Sequence, residues 1–239
     1  VSYASKAFLC KAIAKLVHEE GMGLDVATIG EAYIALQSGV PASDLTLHGN
    51  NKSMEELRYA VDNGIGKVVI DSFDEIDKIE HLYATTKTPI KALVRVTPGV
   101  EAYTHKYVTT GQVDSKFGFT VQNGQAGKAI ERARSSGAID LIGLHAHIGS
   151  QIFTSDSFRK STDILVKLAE HFGLPELCVG GGLGVPYLND ESSIPISEWG
   201  AIVHDISSSS SATLKITSEP GRSIAVSYTH LTLPTTYHV

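Results

Sequence analysis

Short apolar runs of β-rich character alternate with longer stretches of helical period from the first residue onward, which is the pattern of repeated βαβ units on a parallel sheet. Strands are expected at residues 1–4, 23–27, 45–48, 67–71, 91–96, 141–147, 176–179 and 214–217. Helices are expected at 6–20, with Phe8, Leu9, Ile13, Leu16 and Val17 on one face, and at 53–63 behind a Ser53-to-Glu56 capping signature. Further helices are expected at 72–84, 125–136, 156–171 and 197–206. Strands in this number, joined by right-handed crossovers, close most naturally into an α/β fold of the (β/α)8 TIM barrel type; an open doubly wound sheet shares the pattern. The longest connection, residues 97–124, is polar and dotted with glycine, and a loop of that length in a compact domain is usually functional or disordered. The serine run at 207–211 reads as a solvated connection.

The length of 239 residues fits one large barrel domain. With 42% hydrophobic and 19% charged residues the chain has the composition of a folded protein, not a disordered one. A net charge of −6 and a pI near 5.9, with no local Lys/Arg cluster, offer no footprint for nucleic acid or an anionic membrane. Cys10 and Cys178 are too few and too far apart for a disulfide framework or a CxxC metal site, so a cytoplasmic setting is expected. No apolar run approaches a membrane span.

The chain opens without Met inside what reads as a strand end, so an upstream segment is expected to be missing. Residues 226–236, VSYTHLTLPTT, resemble the translation of a sequencing-library adapter. The expected division is therefore a barrel over 1–225 and a non-native tail over 226–239; a natural edge strand is the alternative reading of the tail.

A barrel collects its reactive groups at the C-terminal ends of its strands. Lys6 follows the first strand, Asp25 sits on the second, and His48 and Asn50 end the third. His147 and Ser150 end the sixth, Gly180-Gly181-Gly182 follow the seventh, and Glu219-Pro220-Gly221-Arg222 follow the eighth. Taken singly each has an ordinary reading: a solvated lysine, a tight glycine turn, a Pro-Gly turn. A desolvated lysine can instead hold an aldehyde cofactor, and consecutive glycines expose backbone N–H groups that cradle phosphate. His145 and His147, two apart on a strand, point to one side and would suit a metal, but spacing shows no third ligand, so no metal is expected and His145 reads as a core histidine.

Together the stretches SYASKAF, GLDVAT, LHGNNKS, DSKFGF, GLHAHIGSQI, VGGGLGV and EPGRS resemble, in order and spacing, the fold-III pyridoxal-phosphate decarboxylases, and the chain is similar above all to the diaminopimelate-acting branch. The resemblance covers nearly all of residues 1–225, and HxHxGSQ with GGG and EPGR is its most specific part. It implies an alanine racemase-like barrel whose companion β domain is missing, and pyridoxal 5'-phosphate as cofactor. Lys6 would hold that cofactor covalently, Glu219 would pair with its ring nitrogen, and His147 would lie against the ring face. Ser150, the amides of Gly180, Gly181 and Gly182, and the backbone at Gly221 would bind its phosphate. Arg222 would clamp a substrate carboxylate, with Asp25 and Asn50 in support.

The implied reaction is decarboxylation of meso-2,6-diaminopimelate to L-lysine by a homodimer, with a small amino-acid substrate and no nucleic-acid or membrane partner. Members of the family draw a cysteine and a tyrosine from the later β-domain segment across the dimer interface. Neither Cys10 nor Cys178 occupies that motif, so the chain alone is expected to be weak or inactive. The rival readings are a related decarboxylase acting on ornithine, arginine or carboxynorspermidine, an amino-acid racemase, and a non-catalytic cofactor-binding protein. Glu219 argues against the racemase, since racemases of this fold place arginine there, and Arg222 argues against the binding protein.

Overall fold

The computed structural model describes residues 1–100, 116–187, 192–210 and 213–225. Among them β1 (Ser2–Ala4), α1 (Lys11–Glu19), β2 (Gly23–Val26), α2 (Ile29–Leu36), β3 (Leu45–Leu47), α3 (Met54–Asn63), β4 (Lys67–Ile70) and α4 (Phe73–Thr86) form the first half. The second half comprises β5 (Ile90–Thr97), β6 (Phe119–Thr120), α5 (Gln125–Ser135), β7 (Ile139–His145), α6 (Ser155–Phe172), β8 (Glu176–Cys178), α7 (Ile196–Ser208) and β9 (Lys215–Thr217). Strands β1-β2-β3-β4-β5-β7-β8-β9 pair in parallel in that order, and β6 adds a short pair to the end of β5. Ser2 and Ala4 donate backbone hydrogen bonds to the carbonyls of Ser218 and Pro220 at 2.9 and 3.0 Å, which ties the last strand to the first. The sheet is therefore a barrel, not an open doubly wound sheet.

Local chemistry explains several boundaries. Ser53 and Glu56 form the expected capping box, each side chain bonding the other's backbone N–H, an arrangement worth about 1 kcal/mol. Thr28 caps α2, a helix absent from the sequence-based expectations, and Ser72 caps α4. One expected helix is broken: residues 6–20 do not form a single element. Ser5–Ala7 make a 3-10 turn, Phe8 and Cys10 are extended, and the α-helix starts at Lys11. Two hydrogen bonds hold this break, a tertiary one from the Ser5 hydroxyl to the Asp25 carbonyl and a local one from the Tyr3 hydroxyl to the Phe8 carbonyl, both 2.7 Å. With its start moved, α1 buries Ala14 and Val17 and leaves Leu16 exposed.

The main core lies between the sheet and its helices. Inside the barrel, Val69, Leu93 and Cys178 with Ile142 form one small apolar layer. Beneath it, at the N-terminal end, buried Glu176 accepts from Lys67 and Lys215. Arg95 pairs in register with His145, which in turn neighbours Cys178 of the apolar layer, so polar side chains take over toward the C-terminal end. Residues 101–115 of the long connection and the tail 226–239 lie outside the described residues.

Candidate active site

A cavity of about 560 Å³ opens at the C-terminal ends of the strands. Its wall brings together Lys6, Asp25, His147, Ser150, Gly180, Gly181, Gly182, Glu219, Gly221 and Arg222, residues drawn from both ends of the chain. Asn50 is not among them and is exposed. Lys6 projects from the 3-10 turn after β1 and is itself exposed, so the protein alone does not desolvate it. The wall also contains His48, His145, Arg95 and Trp199.

Glu219 is the electrostatic centre. His48 Nε2 lies 3.0 Å from its Oε1 and His145 Nε2 lies 3.0 Å from its Oε2. Burial alone would raise the Glu219 pKa, but the two histidines outweigh it and hold the carboxyl well below the usual range. His48 also faces Asp25 Oδ1 at 3.6 Å. Burial pulls the His48 pKa down, the two carboxylates pull it up, and the net shift is upward. Asp25, desolvated and beside Glu219, is pushed up to about 6. His145 and His147 are pushed down by burial to about 4 and about 3, so both rings are neutral at pH 7. His145 is buried and hydrogen-bonded, as a satisfied core histidine would be, and its partner is Glu219 on the cavity wall; β7 ends there, and His147 lies beyond the strand with its Nδ1 3.4 Å from the Gly181 N–H. Spacing did not show that His48 and Glu219 join His145, with ligand atoms within 4.8 Å of one another; hydrogen bonding accounts for the contacts of this buried trio.

The glycine loop has no room for side chains. A Cβ on Gly180, Gly181 or Gly182 would lie 2.3, 2.2 and 2.2 Å from the carbonyl oxygens of Ala146, Glu219 and Gly149. Gly180 and Gly182 also take positive φ, at 69° and 101°. The HIGSQI stretch zips onto this loop. Gln151 accepts from the Val185 N–H at 2.9 Å and donates to the Val185 carbonyl at 3.2 Å, and Ile152 accepts from Gly184 and donates to Gly182. Gln151 itself holds φ at 58°, a costly conformation for a residue with a side chain, and its paired amide stabilises it.

Arg95 and Gln151 are the supporting residues that sequence reasoning missed. The signal for Arg95 was a cation in the middle of the otherwise apolar run ALVRV. Its guanidinium lies over the Phe117 ring at 4.5 Å and 3.4 Å from Asp71, while Gly118 donates to Asp71 at 3.0 Å. The described end of the DSKFGF stretch therefore packs on a cavity-wall residue. Arg222 donates to the Tyr187 hydroxyl, and its buried Nε has no partner among the described residues.

A backbone cradle closed to any Cβ, a lysine on the same wall, an ionised carboxylate in the barrel centre and an unsatisfied guanidinium N–H fit a phosphorylated aldehyde with a basic ring nitrogen. The comparisons with known proteins agree with this geometry. Diaminopimelate decarboxylase from Bacillus methanolicus is 42% identical over 94% of the chain, and that from Bacillus subtilis (strain 168) is 46% identical over 83%. The chain spans about half the length of these curated relatives, 54% and 47%. Among solved structures, diaminopimelate decarboxylase from Helicobacter pylori complexed with L-lysine superposes with a TM-score of 0.86 at 28% identity, over 93% of this chain and 57% of that one. The enzyme from M. jannaschii superposes at 0.85 and 30% identity, over 93% and 53%. The family description "Pyridoxal-dependent decarboxylase, pyridoxal binding domain" matches residues 1–226, and the chain belongs to that family.

Proposed function

We propose that residues 1–225 are the pyridoxal 5'-phosphate-binding barrel of a carboxy-lyase that converts meso-2,6-diaminopimelate to L-lysine and CO2 in lysine biosynthesis. The observation that carries this reading is the sharing of one cavity wall by Lys6, the glycine cradle and ionised Glu219. Bound there, the cofactor supplies an electron sink for the pair left at Cα when CO2 departs.

The chain's own residues would each do a separate task. Lys6 would hold the cofactor covalently, and its exposure keeps its amine within reach of a ligand entering the cavity. Gly180, Gly181, Gly182, Ser150 and the backbone at Gly221 bind the phosphate through N–H and hydroxyl donors. Glu219 keeps a proton on the ring nitrogen by charge attraction. His147, neutral, would hold the ring in place without adding a competing cation. Arg222 clamps a substrate carboxylate bidentately, steadied by Tyr187.

The curated relatives' names favour diaminopimelate over ornithine, arginine or carboxynorspermidine as substrate. On the same reading the intact protein is a cytoplasmic homodimer whose second domain completes the site. Among the described residues no helix is long and apolar enough to cross a membrane. The test is a spectral titration of the cofactor-loaded chain with diaminopimelate, ornithine and arginine. Displacement of Lys6 by diaminopimelate at the lowest concentration supports the reading, and preference for another amino acid transfers it to that substrate class.

A further inference from the structure

The Glu219 carboxylate is gripped from both sides. His48 Nε2 stands 3.0 Å from one oxygen and His145 Nε2 stands 3.0 Å from the other, all three residues being buried. The two rings meet edge to face with centroids 4.9 Å apart, so neither can swing away without displacing the other. They differ in charge. His48 lies between two carboxylates, with Asp25 Oδ1 at 3.6 Å on β2 and Glu219 after β9. The other charged or titratable groups acting on it are Arg95 on β5 and His145 on β7. Among the described residues His145 has a single acidic contact, and its buried Nδ1 has no hydrogen-bond partner. A ring with a bare Nδ1 and an acceptor at Nε2 carries its proton on Nε2 and is neutral.

We infer that His48 and His145 are positioning residues that prepare Glu219 for the ring nitrogen of the cofactor, His48 as the cation that keeps the carboxylate ionised and His145 as the neutral donor that fixes its plane. The inference rests on the reading that Glu219 meets that nitrogen. It goes beyond it by assigning the charge on Glu219 to a residue 171 positions away in sequence. Two N–H donors on one carboxylate form a preorganised dipole set, in place before the cofactor arrives and costing no reorganisation when it binds. The upward shift of His48 and the downward shift of Glu219 agree with the geometry.

The test follows cofactor capture by the purified chain against pH, read as the borohydride-reduced adduct on Lys6, in wild type, His48→Gln, Glu219→Gln and the double variant. Glutamine keeps an N–H donor near the position of Nε2 but removes the charge. The expected result is that His48→Gln moves the acid limb of the capture profile upward by about one pH unit or more, a tenfold change at a given pH on that limb. In the Glu219→Gln background the same substitution is expected to move nothing further, because the effect passes through Glu219. An unmoved acid limb in His48→Gln, or an equal shift in both backgrounds, overturns the inference.

Nitrogen-15 spectra of the histidines in the unsubstituted chain decide the matter even if His48→Gln fails to fold. At pH 7 His48 is expected to be protonated on both ring nitrogens and His145 on Nε2 alone; a neutral His48 overturns the inference. Absence of capture in wild type at every pH refutes the cofactor-site reading instead, and leaves the charge assignment to the spectra.

Discussion

Lys52 Nζ lies 2.9 Å from Glu75 Oε2, and the two side chains are 1% and 0% exposed. Glu75 also accepts the backbone N–H groups of Lys52 and Asp71, while Lys52 donates to the carbonyls of Gly49 and Val69. The loop after β3, which carries His48, is thereby tied to the start of α4. From Asp71 the connection continues to Arg95 on the cavity wall.

Breaking this pair leaves a charge buried without its partner, which costs about 3–5 kcal/mol. Lys52→Met is expected to lower stability by that amount in urea denaturation. Adding Glu75→Gln to it is expected to cost less than Glu75→Gln alone, since the two residues act as a unit. Full additivity would show that the pair is not coupled.

The glycine cradle gives a second prediction. In Gly181→Ala the methyl would meet the Glu219 carbonyl at 2.2 Å, so backbone must shift. The expected cost is about 1–3 kcal/mol of stability. Cofactor affinity, measured by equilibrium titration, is expected to fall at least about tenfold, or roughly 1.4 kcal/mol, because the displaced backbone is the cradle itself. Unchanged affinity would remove Gly181 from the site.

Much of this was legible in the sequence. The eight barrel strands stand within two residues of their expected ends, because alternating apolar runs have few other places to go in a parallel sheet. The clustering at the strand ends was legible because barrels gather such residues there: ten of the eleven residues expected around the site share one wall, and Asn50 does not. Features set by distant contacts were not. The break after Ala7 depends on hydrogen bonds made by Ser5 and Tyr3, which local helical periodicity cannot report. His145 looked like a core residue because its partner Glu219 is 74 positions away. Arg95 was hidden in a strand, and its meaning appears only when Asp71 and Phe117 close around it.

The two desolvated histidines, buried His145 and half-buried His147 on the cavity wall, predict acid sensitivity. His147 and His145 ordinarily titrate near 6.5, but folding pushes them down to about 3 and about 4. As pH falls below about 6.5 the unfolded chain therefore takes up protons that the folded chain does not, and stability declines by up to about 1.4 kcal/mol per pH unit for each such proton. Asp25 acts in the opposite sense, since its folded pKa of about 6 lies above its ordinary 3.8 and folding is favoured as the pH falls between them. Its contribution cancels about one proton of the slope across that window. His147→Gln is accordingly expected to flatten the pH dependence of the urea midpoint between pH 6.5 and pH 4. An unchanged slope would contradict its being a neutral ring in the folded chain.

Trp199 is the chain's only tryptophan, and it lies on the cavity wall. Pyridoxal phosphate absorbs where tryptophan emits, so filling the cavity is expected to quench Trp199 fluorescence saturably. The midpoint should match that of cofactor capture, and quenching that never saturates would indicate binding elsewhere.

The most direct test of the cofactor site is to mix the purified chain with pyridoxal phosphate, reduce with borohydride, and map the labelled lysine by mass spectrometry beside a Lys6→Ala control. The account predicts one label per chain on Lys6, absent from the control. Labels scattered over surface lysines in a folded sample, or equal labelling of the control, would contradict it.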